Sequence, residues 1–204
     1  MGRVSDAKER LMDAVGDLIW KGSYGSVTID QICEKAGVKK GSFYYFFESK
    51  ADVAVAALDA ACKERRGQMD AMFSPVTPPL ERIRNYCECA YKEQVETKAE
   101  CGCVLGCPLF TLGSEVSTQE QKLRAKVQEI LEAHRKYFES AIRDAHGAGL
   151  IDAPDPATKA RMILAYYEGL LTQARIQNNA EVLRDLPQGV FALLGVKTSQ
   201  AVSA

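Results

Sequence analysis

Apolar residues recur every three or four positions along almost the whole of this 204-residue chain. That interval matches one face of an α-helix, and no segment shows the alternation that is typical of a half-buried strand. Three such stripes run over residues 11–19, 123–142 and 163–174. Glycine and proline residues separate the stripes, as they do at helix ends. The spacing therefore predicts an all-α fold of about nine helices.

Composition limits the class of protein. The chain has 26 basic and 27 acidic residues, and its net charge of −1 argues against a nucleic-acid partner unless positive charge is concentrated locally. No apolar run reaches the ~18 residues of a membrane span, and the N-terminal residues lack the apolar core of a signal peptide. We therefore expect a cytoplasmic protein. In that compartment the seven cysteines should stay reduced.

Residues 28–46 have the layout of two short helices joined by a tight turn. Thr28 and Gln31 are spaced as a capping-box pair at the start of the first helix. Gly37 is placed to end that helix in a left-handed conformation. The second short helix is expected from about Lys39 to Phe46. This arrangement is typical of a helix-turn-helix motif.

The second of these helices has two unlike faces. Three aromatic residues at helical spacing can pack inward, namely Phe43, Phe46 and Phe47. The outward positions are small, hydroxylated or phenolic, and they are Gly41, Ser42, Tyr44 and Tyr45. Lys39 and Lys40 lie at the N-terminal end, which meets base edges in such motifs. This surface suits phosphates and base edges better than a protein core.

The positive charge of this region is concentrated near the second helix. Between Gly37 and Lys50 there are three lysines and one acidic residue, Glu48. A local surplus of this kind can neutralise phosphates even though the whole chain is slightly acidic. The residues alone leave two interpretations open, a DNA-reading surface and an ordinary solvated helix face.

The run from Thr28 to Lys50, TIDQICEKAGVKKGSFYYFFESK, resembles the DNA-binding signature of the TetR/AcrR family of one-component repressors. The shared features are a Thr-initiated helix, Ala-Gly-Val at the turn, a small-residue step, a Tyr with an aromatic pair, and Ser-Lys before the fourth helix. Tyr45 stands where the family often has His, and Phe46 where Tyr is common. These departures make the base preference unreadable.

The resemblance implies a helix-turn-helix DNA-binding domain over residues 1–50 and an effector-binding and dimerisation domain over residues 51–204. It implies a homodimeric repressor that an effector releases from a pseudo-palindromic operator. By the matching positions, the resemblance implies that Thr28 and Lys50 contact phosphates. It implies that Lys39, Lys40 and Ser42 contact base edges. It implies that Tyr44 and Tyr45 contact the DNA backbone or a thymine methyl. The stripes over 163–174 and 190–194 would pair in the dimer, where Gly169 would allow close helix approach.

The cysteines are the unusual feature of the second region. Cys33 and Cys62 are expected to be small core residues. The other five fall between positions 87 and 107, and they are Cys87, Cys89, Cys101, Cys103 and Cys107. On a helix, Cys89 is turned roughly 200° away from Cys87. Residues 101–107 are expected at a loop and a helix start, where their three thiols could converge on Cys87.

Three interpretations of this cluster stay open. The thiols are inert, or they sense oxidants or electrophiles, or they bind a soft metal such as zinc or copper(I). Cys107 is a candidate reactive thiolate because a helix N-terminus lowers a thiol pKa. The spacing is not that of a zinc ribbon, so no cofactor is assigned. His134, on the inward stripe of its helix, is a further sensing candidate or a core histidine.

Two other classes of protein compete with an effector-responsive regulator. A cysteine-based oxidoreductase would be expected to show a βαβ pattern, a Cys-x-x-Cys pair or a glycine-rich phosphate loop, and this sequence has none of them. We therefore expect no enzyme. A DNA-binding protein without an effector is the other alternative, but residues 51–204 are far more than dimerisation alone requires.

Overall fold

A computed structural model describes residues 2–196 of the chain, and these residues form nine α-helices, one short 3-10 helix and no strand. The α-helices are α1 Gly2–Lys21, α2 Ile29–Ala36, α3 Lys40–Phe46, α4 Lys50–Met72, α5 Pro79–Cys101, α6 Pro108–Val116, α7 Gln121–Gly147, α8 Pro156–Ile176 and α9 Leu186–Leu194. The 3-10 helix Ala180–Leu183 lies between α8 and α9. The predicted all-α class is confirmed.

Local capping residues set several of these boundaries. Thr28 accepts a hydrogen bond from the backbone N–H of Gln31 (3.2 Å) and donates its own N–H to the Gln31 side chain (2.8 Å), so the predicted capping box is present. Gly37 ends α2 with φ of 62°, in the left-handed region that glycine tolerates best. Asp155 caps α8 through the N–H of Thr158, and Pro156 follows at the first helical position.

One helix is longer than the apolar pattern indicated. The stripe on α5 fades after Ala90, yet the helix continues to Cys101 and stops at Gly102, whose φ is 78°. Its last turns contain good helix-forming residues on a mostly exposed surface, so they need no apolar stripe. Cys101 therefore lies in the last turn of a helix rather than in a loop.

The first of two compact units comprises Met1–Arg66 and Pro108–Leu131. Its core joins α1, α2 and α3 to the start of α4, to α6 and to the start of α7. Leu11, Ile32 and Phe43 are fully buried there. Burying each of these side chains contributes about 1.5–3 kcal/mol to stability, so the helix-turn-helix is anchored by helices from two distant parts of the sequence.

The second unit comprises Gly67–Cys107 and Glu132–Ala204. Its core includes an aromatic cluster in which Phe138 contacts both Phe73 and Tyr86, with ring centroids 5.2 and 4.9 Å apart. Tyr86 continues the contact to Tyr167 of α8 at 5.2 Å. Packing of α5, α8 and α9 around the 3-10 helix completes this unit.

A buried arginine fixes the loop before α5. Arg82 is 3% exposed, and its guanidinium donates to the backbone carbonyls of Pro75 (3.1 Å) and Thr77 (2.7 Å) and to the Asp144 carboxylate (2.6 Å). A planar guanidinium with all of these partners is a well-satisfied buried charge.

Within residues 2–196, no helix is long and apolar enough to cross a membrane.

Candidate functional site

The predicted DNA-reading face lies on α3. Phe43 is fully buried and Phe47 is 6% exposed, whereas Tyr44 and Tyr45 are 53% and 76% exposed. Phe46 is half-buried, so it packs inward less completely than its neighbours. The expected separation of an aromatic inner face from a phenolic outer face is confirmed. Among the described residues, no atom lies within 4 Å of a Cβ built on Gly41, so that part of the helix is open.

The three residues proposed for base edges lie at the start of α3. Lys39, Lys40 and Ser42 are exposed. The Lys40 ammonium pairs with the Asp30 carboxylate at 2.7 Å, and this hydrogen bond raises the Lys40 pKa. Both side chains are more than half exposed, so the pair contributes little to stability.

Thr28 and Lys50, the two residues matched to phosphate contacts, also hold the local fold together. The Thr28 hydroxyl caps α2, as described above, and remains exposed. The half-buried Lys50 ammonium donates to the carbonyls of Tyr24 and Val27, both at 2.7 Å, and lies 4.1 Å from the centroid of the Tyr24 ring. Burial lowers the Lys50 pKa. The Lys50 ammonium therefore stabilises the loop that precedes α2.

The same loop is held from its other side by a residue that the sequence did not indicate. Glu115 of α6 accepts hydrogen bonds from the backbone N–H groups of Tyr24 (2.8 Å) and Gly25 (2.7 Å). Charge-assisted bonds of this kind are stronger than neutral ones. Because Glu115 is about ninety positions from its partners, no local pattern could reveal the contact.

The structure separates most of the cysteines that were expected to converge. Cys87 is fully buried, and burial raises its pKa to about 12. Cys101 and Cys103 are exposed, and the Cys101 thiol donates to the carbonyl of Thr97 at 3.1 Å. Across residues 2–196, no three His, Cys, Asp or Glu side chains are grouped closely enough to hold a metal ion. The geometry gives no support to a thiolate metal site.

The other thiols and the sensing histidine have mixed environments. Cys33 is buried as predicted, but Cys62 is only half-buried, because it lies on a stretch of α4 where most side chains face solvent. Cys89 lies near the carboxylate of Glu93 (3.7 Å) on the part-exposed side of α5. His134 is half-buried on α7.

Cys107 has a different environment, because the segment before it runs along α8. Arg175 donates to the carbonyl of Leu105 at 2.7 Å, and one turn earlier a Cβ on Gly106 would lie 3.3 Å from the Leu171 carbonyl. One further turn back along α8, the half-buried Cys107 thiol donates a hydrogen bond to the Glu168 carboxylate. The segment and the helix are therefore in antiparallel register.

Glu168 is the second residue that the sequence did not single out. It is 6% exposed, and its Oε2 has no hydrogen-bond partner among the residues that the structure describes. Burial raises its pKa to about 7, while the bond from Cys107 opposes that rise. A glutamate within the apolar stripe of α8 was the available signal, since charged residues rarely lie on a buried face.

Comparison with known proteins gives the class of this molecule. Residues 11–57 match the family model "Bacterial regulatory proteins, tetR family", and residues 79–189 match "Tetracyclin repressor-like, C-terminal domain". The transcriptional regulator AcuR of Cereibacter sphaeroides is 28% identical over 173 residues, which cover 84% of this chain and 77% of AcuR. The HTH-type transcriptional repressor DhaR of Mycobacterium sp. is 25% identical over 191 residues, covering 92% and 91% of the two chains.

A solved structure agrees with these relatives. The regulatory protein TetR from Rhodobacter sphaeroides superposes with a TM-score of 0.80 at 27% identity, over 92% of this chain and 98% of that one. The fold, the helix-turn-helix and these matches define a DNA-binding transcriptional regulator, and none of these matches is an enzyme. The chain belongs to the TetR family.

Proposed function

We propose that this regulator is a homodimeric repressor that binds a pseudo-palindromic operator through residues 1–50. The observation that carries the proposal is the exposure of Tyr44 and Tyr45 on a short helix whose other face is anchored by the buried Phe43. Lys39, Lys40 and Ser42 extend this surface toward base edges, with Thr28 and Lys50 at the phosphates. We propose that it acts in the cytoplasm, because its proposed target is operator DNA.

Exposed apolar side chains support the dimer. Met162 and Ile176 of α8 are 48% and 78% exposed, and Leu193 of α9 is 38% exposed. These are the two helices proposed to pair with a second copy. Pairing would cover apolar surface that the single chain leaves in water. A dimer would present two recognition helices about one DNA turn (~34 Å) apart.

An effector acting on the second unit would release the operator. Release requires that the effector favour a conformation with lower operator affinity, since only a differential affinity shifts the equilibrium. The residues proposed for sensing are Cys87, Cys101, Cys103, Cys107 and His134. Among them, Cys107 has a buried ionisable partner. A DNA-binding protein without an effector would keep its operator affinity under every ligand.

The operator proposal is tested by selecting bound sequences from a random DNA pool and measuring affinity for the selected site. We expect the double variant Lys40→Ala with Tyr44→Ala to lose at least about 100-fold in affinity, because two DNA contacts per subunit disappear. A double variant at exposed positions of the second unit, Val76→Ala with Lys92→Ala, is the matched control. Unchanged affinity in the Lys40 and Tyr44 variant would place DNA binding on another face.

The dimer proposal has its own test at Gly169. No described atom lies within 4 Å of a Cβ built on Gly169, so alanine there should leave the single chain as stable as before or slightly more stable. If α8 approaches a second copy closely at Gly169, Gly169→Ala weakens the dimer in analytical ultracentrifugation. A monomeric wild-type chain would reject the dimer outright.

A further inference from the structure

Most positive side chains around the DNA-reading helix α3 are already bound within the protein. Residues 6–50 contain seven lysine and arginine residues. Four of them pair with an acidic side chain of the same unit, and they are Arg10, Lys21, Lys35 and Lys40. A cation with a carboxylate beside it attracts a phosphate less strongly than an unpaired cation does. These four residues therefore add little positive charge to a DNA-binding surface.

Lys50, which the family pattern matches to a phosphate, is largely bound as well. Its ammonium has three N–H donors, and two hydrogen bonds of 2.7 Å connect it to the carbonyls of Tyr24 and Val27. Its Nζ also lies 4.1 Å from the centroid of the Tyr24 ring. One donor at most is left for a phosphate of the operator.

Two lysines of this stretch, Lys8 and Lys39, have neither a carboxylate nor a carbonyl partner among the residues that the structure describes. Both side chains are exposed. Lys39 directly precedes α3 and was already expected to contact DNA. Lys8 lies on α1, and its Nζ is 5.8 Å from the centroid of the Phe47 ring. An aromatic ring carries no net charge, so the ammonium keeps its full positive charge there.

Phe47 places the Lys8 ammonium beside the C-terminal end of α3. It is the residue that follows this helix, and its N–H donates to the carbonyl of Phe43 at 2.9 Å. Since α3 has seven residues, its two ends are about 10 Å apart. That distance is close to the ~12 Å width of the major groove. An unpaired ammonium thus lies beside each end of α3, where a helix in the groove comes near the phosphates that border it.

We propose that Lys8 binds a phosphate of the operator backbone and so adds α1 to the DNA-binding surface. The inference rests on the proposed operator binding by residues 1–50. Lys8 lies outside residues 11–57, which match the family model, and outside the signature that begins at Thr28. A phosphate contact carries no sequence information, so Lys8 strengthens binding to every duplex alike.

A purely structural role for Lys8 predicts a different behaviour. A cation over the Phe47 ring stabilises the folded chain, and its loss would leave the number of neutralised phosphates unchanged. A lysine that binds a phosphate releases a counterion from the DNA, so its loss changes the salt dependence of the affinity. The slope of log affinity against log salt concentration therefore separates the two roles.

The test measures the affinity of the full chain for its selected operator between about 50 and 200 mM salt. Lys8→Gln should make the slope shallower by about 0.9 per subunit, or about 1.8 for a dimer on its operator. Lys8→Arg should keep the wild-type slope, because it keeps the charge. Lys63→Gln is the matched control, since Lys63 is an exposed lysine of the same unit that lies about 20 Å along α4 from Lys50.

A duplex of scrambled sequence gives a second measurement. Lys8→Gln should weaken binding to the operator and to the scrambled duplex by the same factor, so that the ratio of the two affinities stays constant. A change in that ratio would contradict a contact to the backbone.

Two results for the slope would overturn the proposal. One is a wild-type slope in Lys8→Gln, with urea unfolding used to confirm that the variant is folded. The other is an equal change of slope in Lys63→Gln, which would show that any lysine of the unit has this effect. A wild-type chain that binds no DNA would instead contradict the proposed function.

Discussion

The Glu115 carboxylate accepts a hydrogen bond from the backbone N–H of Gly25 at 2.7 Å and so ties α6 to the loop between α1 and α2. The same carboxylate accepts the N–H of Tyr24. On the carbonyl side of the loop, Lys50 donates to Tyr24 and Val27. Glu115 thus binds the backbone N–H groups of this short loop, and Lys50 binds its carbonyl groups. The loop sets where α2 begins.

Removal of the Glu115 carboxylate should make this loop less well fixed. Glu115→Ala loses two charge-assisted hydrogen bonds, and we expect the free energy of unfolding to fall by about 1–3 kcal/mol. Operator affinity should fall as well, because α2 and α3 lose a defined starting position. Urea denaturation and DNA titration measure the two effects. As a control, Glu129→Ala removes an exposed carboxylate that pairs with Lys126 and should cost less than about 1 kcal/mol. Equal losses in both variants would refute the role of Glu115.

The contact between α8 and α9 depends on a glycine, Gly189, because a larger residue there would collide with Tyr166. A Cβ on Gly189 would lie 2.0 Å from the Tyr166 hydroxyl oxygen and 2.5 Å from the ring carbon that bears it. Gly189→Ala should therefore destabilise the second unit by about 1–3 kcal/mol or more, measured by thermal and urea unfolding. Adding Tyr166→Ala should recover part of the loss. Gly67→Ala, at a helical glycine with no described atom within 4 Å, should be neutral or stabilising; a similar loss there would show that the clash is not the cause.

Stability of the second unit should be sensitive to substitution of Arg82. Arg82→Ala removes three hydrogen bonds from a buried position and leaves the carbonyls of Pro75 and Thr77 without their donor. We expect a loss of about 2–4 kcal/mol in the free energy of unfolding. Arg82→Lys should recover little, because an ammonium group cannot reproduce the planar fork. Full recovery with lysine would mean that charge alone, rather than geometry, is required.

The buried glutamate should make stability depend on pH. The Glu168 pKa is raised from an ordinary value of 4.5 to about 7, so the folded chain holds this proton where the unfolded chain has released it. Its contribution is fully present below about pH 4.5, declines as the pH rises, and is lost above about pH 7. Glu168→Gln should therefore gain stability relative to the wild type across that range, by at most on the order of 3 kcal/mol. Urea unfolding at pH 5 and pH 8 measures the difference, and a constant difference would contradict the raised pKa.

Local signals in the sequence predicted the DNA-reading region well. The capping box at Thr28, the left-handed Gly37 and the two faces of α3 all depend on residues within a few positions of one another. Helix caps and amphipathic faces are local physical properties, so spacing alone reveals them. The assignment of individual residues to DNA contacts stays a prediction.

The residues that the sequence missed act over long distances along the chain. Glu115 contacts its loop partners about ninety positions away, and Glu168 contacts Cys107 about sixty positions away. Such contacts follow from how helices pack, which periodicity does not specify. The expected convergence of thiols failed for a related reason, since α5 continues to Cys101 and the thiols at 101 and 103 face solvent.

Each of the two units is built from two separate stretches of the chain, and this limits where a chimeric regulator can be joined. The first unit needs Leu112 and Val116 from α6 and Leu123 from α7 for its core, although the motif that reads DNA ends near residue 50. A fragment ending at Arg66 would lack these side chains and would leave part of this apolar core uncovered. A chimera that joins the first unit to a different second unit must therefore include residues 108–131. Its junctions should lie near residues 66, 107 and 131 rather than at one point.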